Sequence, residues 1–278
     1  MINRPFAARF RRLIAALARA ALLSSVIASA AWSQTLRPGV IGVDDRRLIE
    51  DASSFWDAIG QVNIGGFRSR GQCTGALIAP DRVLTAAHCL VNPRTGAPFP
   101  LSDIHFLAGA DRGAWKAHGR AKCLTFLEND AFRGAAPTSN RRALGLEAAA
   151  RDVAVITLEA PLAISPAPLA EAGAAEAATR EPAQAPPLIH AAYFGDRRHR
   201  LSAHKGCRLM RGGLDGALWL TSCDVHFASS GGPVFLDDAD GPKLAAVMVG
   251  FARASAVSIA APIDQWRALA ENAACPAR

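Results

Sequence analysis

Beyond its first thirty residues this sequence has no run long and apolar enough to cross a membrane. It has no Cys-x-x-Cys pair, and its histidines are scattered, so neither a zinc finger nor a zinc ribbon is encoded. No internal repeat is visible at the residue level, which removes repeat arrays from consideration. Net positive charge is also small once its location is considered. The formal charge of +7 includes Arg4, Arg9, Arg11, Arg12 and Arg19, with no acidic residue among the first thirty, and without that segment it falls to +2. Nucleic acid is therefore not an expected partner. Half of the residues are hydrophobic, which excludes wholesale disorder and allows a substantial core in one or two domains.

What the N-terminus does contain is an address. Arginines precede Leu13-Ile14-Ala15-Ala16-Leu17 and an apolar run to about Ile27, and Ala28-Ser29-Ala30 offers small residues for cleavage, with a second site at Ala31-Trp32-Ser33. This pattern predicts a signal peptide over residues 1–30 and export to the periplasm or the medium. An uncleaved anchor is the competing reading, but the run is short for a bilayer span. Arg11-Arg12 hints at twin-arginine export, although its surroundings match poorly. Residues 31–39 read as a leader or short pro-segment, and no stable membrane insertion is expected after cleavage. The six cysteines, Cys73, Cys89, Cys123, Cys207, Cys223 and Cys275, are an even set in an exported chain, which implies disulfides and leaves every pairing open.

Three short stretches carry chemistry. Ala228-Ser229-Ser230-Gly231-Gly232-Pro233-Val234-Phe235 reads as a serine on a tight turn entering a buried strand. Glycine permits backbone angles that a Cβ resists, and a proline that cannot donate to a sheet ladder belongs at a strand's start. Such a turn exposes a hydroxyl and aims backbone N–H groups beside it, the two needs of an acyl-transfer nucleophile. By itself the stretch could equally be an ordinary Gly-Pro turn. Leu84-Thr85-Ala86-Ala87-His88-Cys89 adds a histidine, and Asp152-Val153-Ala154-Val155-Ile156 an aspartate opening an apolar run. The order His, Asp, Ser is one of the known chain orders of a serine triad. An α/β-hydrolase elbow is not expected, because Ala228 breaks Gly-x-Ser-x-Gly and the residue order differs.

With Cys73-Thr74-Gly75-Ala76-Leu77-Ile78, these motifs resemble the trypsin-like (chymotrypsin-fold) serine proteases, in the style of secreted bacterial members that include the glutamyl endopeptidases. The resemblance covers most of the chain after about residue 40. It implies an all-β fold of two antiparallel six-stranded barrels with a C-terminal helix. The protease domain would span residues 40–278, with the first barrel over about 40–160, the second over about 161–260 and the helix over about 262–274. It implies His88, Asp152 and Ser230 as catalytic residues, the backbone N–H groups of Ala228 and Ser230 as the oxyanion hole, a polypeptide substrate, and neither cofactor nor metal. A monomer is the expected state. It also implies the pair Cys73–Cys89. Cys207–Cys223, bracing the approach to Ser230, is then the expected second pair, which leaves Cys123–Cys275.

Two positions depart from the family pattern Gly-Asp-Ser-Gly-Gly-Pro. Ser229 replaces the aspartate that pairs with a newly freed N-terminus in trypsin-like zymogens, so that activation lock is not expected. Ala228 replaces a glycine whose peptide orientation a Cβ disfavours. That second change motivates an alternative, a weak or inactive homologue that binds peptides or a protein partner. For specificity, Asp224 lies six residues before Ser230, at the offset of trypsin's pocket aspartate, but the neighbouring cysteine is on its other side. Glutamyl specificity would want a histidine among Val247, Met248 and Val249, and there is none.

Patterning gives the remaining elements. Asp57 to Ile64 alternates as a half-buried strand, and Thr74–Ile78, Val83–Ala86, Ile104–Ala108, Trp115–Phe126 and Asp152–Leu158 read as further strands. Leu188–Phe194, Leu218–Thr221, Val234–Leu236 and Leu244–Phe251 follow, and Ala261–Ala270 has helical spacing. Leu169–Gln184 is alanine-rich, but it is expected to be an irregular connection because Pro182, Pro186 and Pro187 stop a helix. Asn129–Arg142 is expected to be a loop. Arg197, Arg198 and Arg200 read as a solvated turn. His105, His118, His190, His199 and His204 lack motif context, whereas His226 stands close enough to Ser230 to border a cleft.

Overall fold

Alternating burial along the strands sorts the chain into two antiparallel sheets. The computed structural model describes residues 39–50, 53–65, 70–128, 145–252 and 256–275. The expected signal peptide, nearly all of the expected leader and the 129–142 loop lie outside the described residues. Strand β1 (Arg46–Leu48) is followed by β2 (Ile59–Gly65), β3 (Arg70–Ala79), β4 (Arg82–Thr85), β5 (Ile104–Ala108), β6 (Ala117–Phe126) and β7 (Ala154–Leu158). Strands β2 to β7 close into a six-stranded barrel in the order β2-β3-β4-β7-β6-β5. In β5 Ile104, Phe106 and Ala108 point inward while His105 and Leu107 are half-buried, as period-two geometry requires. Every residue of β7 is buried, so the strand that follows Asp152 has no free face.

The second sheet contains β8 (Leu188–Ala192), β9 (Ser202–Cys207), β10 (Leu209–Gly213), β11 (Leu218–Thr221), β12 (Pro233–Asp238), β13 (Gly241–Ala252) and β14 (Val257–Pro262). Its order is β1-β9-β8-β12-β13-β14-β11-β10, eight strands in all. The chain passes from β9 to β10 through Arg208 alone, so β10, at one end of that order, follows directly on β9, the neighbour of β1 at the other end. Strand β1 precedes the first barrel in sequence yet pairs with β9, Arg46 opposite His204. The N-terminal segment is thus built into the second sheet. Strands β1, β9, β10 and β14 carry no alternation strong enough to be read from sequence.

Three α-helices occur among the described residues: α1 (Leu146–Ala150), α2 (Ala174–Arg180) and α3 (Ile263–Asn272). Helix α2 corrects the expectation of an irregular connection. Its alanines have the best intrinsic helix propensity, its Ala175 and Ala178 are buried, and Pro182 falls beyond its end instead of inside it. Thr179 Oγ1 accepts a 2.8 Å hydrogen bond from the buried Trp219 indole, which pins the helix to β11. Helix α3 buries Ile263, Trp266 and Ala270. Its last carbonyls, Ala270 O and Glu271 O, accept from the Arg82 guanidinium of β4 at 2.9 and 2.8 Å. That cation satisfies carbonyls left open at a helix C-terminus and ties the helix to the first barrel. The disulfide Cys123–Cys275 adds a covalent tie between β6 and the segment after α3. Cys73–Cys89 and Cys207–Cys223 also form, giving the three expected pairs. No helix among the described residues is long and apolar enough to cross a membrane.

Candidate active site

His88 lies in a one-turn 3-10 helix, Ala87–Leu90, directly after β4, and the Cys73–Cys89 bridge fastens that turn to β3. Asp152 stands just before β7, which is β4's neighbour in the barrel. The two residues meet through two bonds. The His88 backbone N–H donates to Asp152 Oδ1 at 2.8 Å, and His88 Nδ1 lies 2.5 Å from Asp152 Oδ2. Asp152 is fully buried, whereas the His88 side chain is 35% exposed, so the imidazole has one edge on the carboxylate and the other facing out. Burial of the ring opposes protonation, but the charge and hydrogen bond of Asp152 outweigh it and hold the His88 pKa above the ordinary imidazole value.

Ser230 comes from the second sheet, in the loop before β12. Its carbonyl accepts from Thr74 N of β3 at 2.9 Å, and the Cys89 Sγ lies 3.9 Å from the same oxygen and 3.8 Å from His88 Nε2. One sulfur thus lies between the outer imidazole nitrogen and the serine main chain. Gly231 has φ +79°, and a Cβ there would collide with Thr74 O and Thr85 Oγ1, so only glycine allows the loop to abut the first barrel this closely. Among the described residues the Ser230 hydroxyl makes no hydrogen bond. Catalytic hydrogen bonds are often long in unliganded sites and tighten when substrate binds.

Ala228 has φ +68°, a left-handed conformation unusual for a residue with a Cβ. The chain adopts the glycine-like backbone despite the substitution. Its carbonyl accepts from Thr74 Oγ1 at 2.9 Å, and that hydroxyl in turn accepts from Tyr193 N at 3.0 Å. Thr74 is fully buried, so its bond from Tyr193 N is sheltered from water and its bond to Ala228 O partly so. Among the described residues neither Ala228 N–H nor Ser230 N–H donates to any acceptor, leaving two backbone donors free beside the serine. Ser229 braces the turn from within: its hydroxyl donates to His226 O at 2.8 Å and accepts from His226 N at 3.2 Å. Phe227 is 74% exposed at the tip of this turn, and His226 Nδ1 is buried 3.9 Å from Asp196 Oδ1.

Asp224 has an environment that does not fit the specificity pocket expected from its offset. It is fully buried, Oδ1 accepts from Ile41 N at 2.8 Å, and Oδ2 accepts from Asp45 N at 3.0 Å. His204 Nδ1 lies 3.2 Å from Oδ2. Burial would raise its pKa, but the neighbouring His204 imidazole, which accepts the Asp224 N–H at 3.0 Å, and the N–H groups of Ile41 and Asp45 prevail and lower it. The carboxylate is an anchor for the N-terminal segment. Asp45, His204 and Asp224 bring potential metal ligands within 4.8 Å of one another, but both Asp224 oxygens already hold backbone N–H groups. The other such group among the described residues, Cys73, His88 and Cys89, has its sulfurs in a disulfide.

His190 is a further residue that motif reading passed over. It is fully buried under the serine loop, and its Nδ1–H donates to the Asp224 carbonyl at 2.9 Å. Burial pushes its pKa down to about 4, so the ring is neutral. Thr74 was visible only as part of a motif, and its position opposite Ala228 emerges from the barrel register, which no local pattern encodes.

A model of the trypsin-like peptidase domain family matches residues 73–242. Among solved structures, a Glu endopeptidase in complex with MPD aligns at TM-score 0.61 and 16% identity, over 84% of this chain and all of that one. The thermostable serine protease AL20 aligns at 0.56 and 18% identity, over 79% of this chain and 100% of its own. Protease Anisep from Arthrobacter nicotinovorans aligns at 0.56 and 16%, over 82% of this chain and 100% of its own. A comparison with curated proteins gave no match. At these identities the structural likenesses establish the fold, and the family follows from a match over more than half of the chain: this protein belongs to the trypsin-like serine peptidases.

Proposed function

We propose that the chain is an exported serine endopeptidase that works through an acyl-enzyme, with Ser230 as nucleophile, His88 as general base and acid, and Asp152 as the residue that orients His88. The observation that carries this reading is the double engagement of His88 by a fully buried Asp152, at 2.8 Å through the backbone N–H and 2.5 Å through Nδ1. With its proton on Nδ1 directed at Asp152, the ring presents a lone pair at Nε2. Ser230 Oγ attacks the scissile carbonyl as its proton passes to Nε2. The developing oxyanion receives the N–H groups of Ala228 and Ser230, which have no other acceptor among the described residues. The C–N bond breaks as Nε2–H protonates the leaving amine. Water then attacks the ester by the same route, with His88 again taking and returning the proton, and the acid product leaves.

Export is supported by the arginine-led apolar N-terminus and by three disulfides, which persist in oxidising compartments. The test is covalent labelling with a fluorophosphonate. The expected result is one adduct on Ser230 that is lost in Ser230→Ala and His88→Ala, while an adduct elsewhere, or one indifferent to His88, would refute the assignment.

A further inference from the structure

The segment Gly39–Arg46 is held by contacts that lead to the loop carrying Ala228 and Ser230 by two separate routes. In the first, Ile41 N and Asp45 N close around the two oxygens of Asp224, and Gly39 O accepts from Val225 N at 2.8 Å. Gly39 has φ +90°, and a Cβ there would collide with Val225 O, so the contact is specific to glycine. Asp224 continues this route through its own carbonyl, which accepts from His190 Nδ1 at 2.9 Å. The other edge of the His190 ring lies against Gly232, where a Cβ would stand 3.0 Å from Nε2 and 2.9 Å from Ser229 O. Strap, carboxylate, imidazole and serine loop are thus in continuous contact.

The second route runs through Arg46, whose side chain is fully buried. Its guanidinium donates to Asp44 at 2.9 Å and to Asp196 at 2.8 and 3.0 Å, and it stacks over Phe194 at 4.8 Å. Arg197 closes the cluster by binding Asp44 Oδ2 and Arg46 O, both at 2.9 Å. Gly195, between Phe194 and Asp196, donates its N–H to Phe227 O at 2.5 Å, and Phe227 O belongs to the peptide whose N–H is that of Ala228. The Arg46 cluster therefore reaches the first oxyanion donor through one hydrogen bond.

We infer that Gly39–Arg46 acts as a built-in activating strap, and that Asp224 and Arg46 are positioning residues which keep the oxyanion donors aimed only while the strap is docked. This rests on the peptidase reading above. The anchor is made of main-chain N–H groups and an internal arginine, so it needs no free α-amine, in keeping with Ser229 being spent on its own turn. Burying an arginine and an aspartate is costly unless each is fully paired, and here the pairing runs between the strap and the serine-side loops.

The test uses the full chain with Asp224→Asn, which cannot accept from two backbone N–H groups with both side-chain atoms, and separately with Arg46→Met. Arg47→Met, whose side chain is exposed and only touches main-chain carbonyls, is the control. Two readouts are taken. Hydrogen exchange follows the bonded amides of Ser229, Gly231 and Gly232, with the β4 and β11 amides as internal references. Fluorophosphonate labelling follows Ser230. The expected result is exchange at least tenfold faster in the serine loop alone, and labelling slower by about 10²–10³, the loss that follows removal of an oxyanion donor. Arg47→Met should match the unsubstituted chain in both. Wild-type exchange in the loop of folded Asp224→Asn and Arg46→Met proteins would overturn the inference, and so would a uniform rise that includes β11. If the unsubstituted chain fails to label, the peptidase reading falls, and the exchange comparison still decides whether the strap orders the loop.

Discussion

Ala228 offers the sharpest stability test, because its backbone is strained by its own Cβ. At φ +68° an L-residue loses about 1–2 kcal/mol relative to the right-handed region. Ala228→Gly removes that loss but adds conformational freedom to the unfolded chain, worth roughly 0.5–1 kcal/mol against folding. The net expectation is a gain of about 0.5–1 kcal/mol, or about 2–4 °C in Tm for each kcal/mol in a chain of this size. Labelling should change by less than about threefold, a shift well under the 1.4 kcal/mol that makes a factor of ten. The reason is that the N–H of residue 228 already lacks a competing acceptor and its carbonyl is already held by Thr74. The assays are thermal unfolding followed by circular dichroism and the second-order rate of fluorophosphonate labelling. A hundredfold gain in labelling with no gain in Tm would refute the reasoning, because it would mean that the alanine had turned the N–H away from the cleft.

Three further outcomes follow from the same contacts. Thr74→Val keeps the volume but removes the hydroxyl between Ala228 O and Tyr193 N, leaving buried groups unpaired at about 1–3 kcal/mol each, and denaturant unfolding should register a loss of that order with slower labelling. The labelling rate should rise with pH through a midpoint above 6.5, because Asp152 raises the His88 pKa and only neutral His88 can take the serine proton, and a profile flat from pH 5 to 9 would contradict that role. His190 sets an acid limit on stability: its pKa is about 4 when folded against an ordinary 6.5, so between those values the unfolded chain binds a proton that the folded chain refuses. Stability should therefore fall by up to about 1.4 kcal/mol per pH unit on acidification through that window, and His190→Asn, which keeps a donor near Nδ1, should flatten that part of the pH dependence of unfolding.

The parts of this molecule that were legible in sequence are those set by local chemistry. His88 sits in an apolar motif that forms β4 and its following turn. Ser230 is followed by Gly231, which the contact with Thr74 and Thr85 requires, and the β2 and β5 strands alternate. Helix α2 departs from the sequence expectation because the prolines that stop a helix all fall after Arg180. Strands β1 and β9 were not legible because their inward positions include Arg46, Ser202 and His204, polar residues whose burial depends on distant partners. The environment of Asp224 was not legible for the same reason. Its offset from Ser230 is a local quantity, but its function depends on Ile41 and Asp45, which lie 183 and 179 residues away in sequence.

The central claim is that Ser230 is an activated nucleophile served by His88 and by two backbone donors. The most direct measurement is the rate of fluorophosphonate labelling of the oxidised, purified chain, with mass mapping of the adduct. The account requires a single adduct at Ser230 that disappears in both Ser230→Ala and His88→Ala and falls by about 10⁴-fold in Asp152→Asn, the loss seen when a triad histidine takes the wrong tautomer. A folded protein with all three disulfides intact and no adduct at Ser230 would contradict it and favour a homologue that binds polypeptides without cutting them.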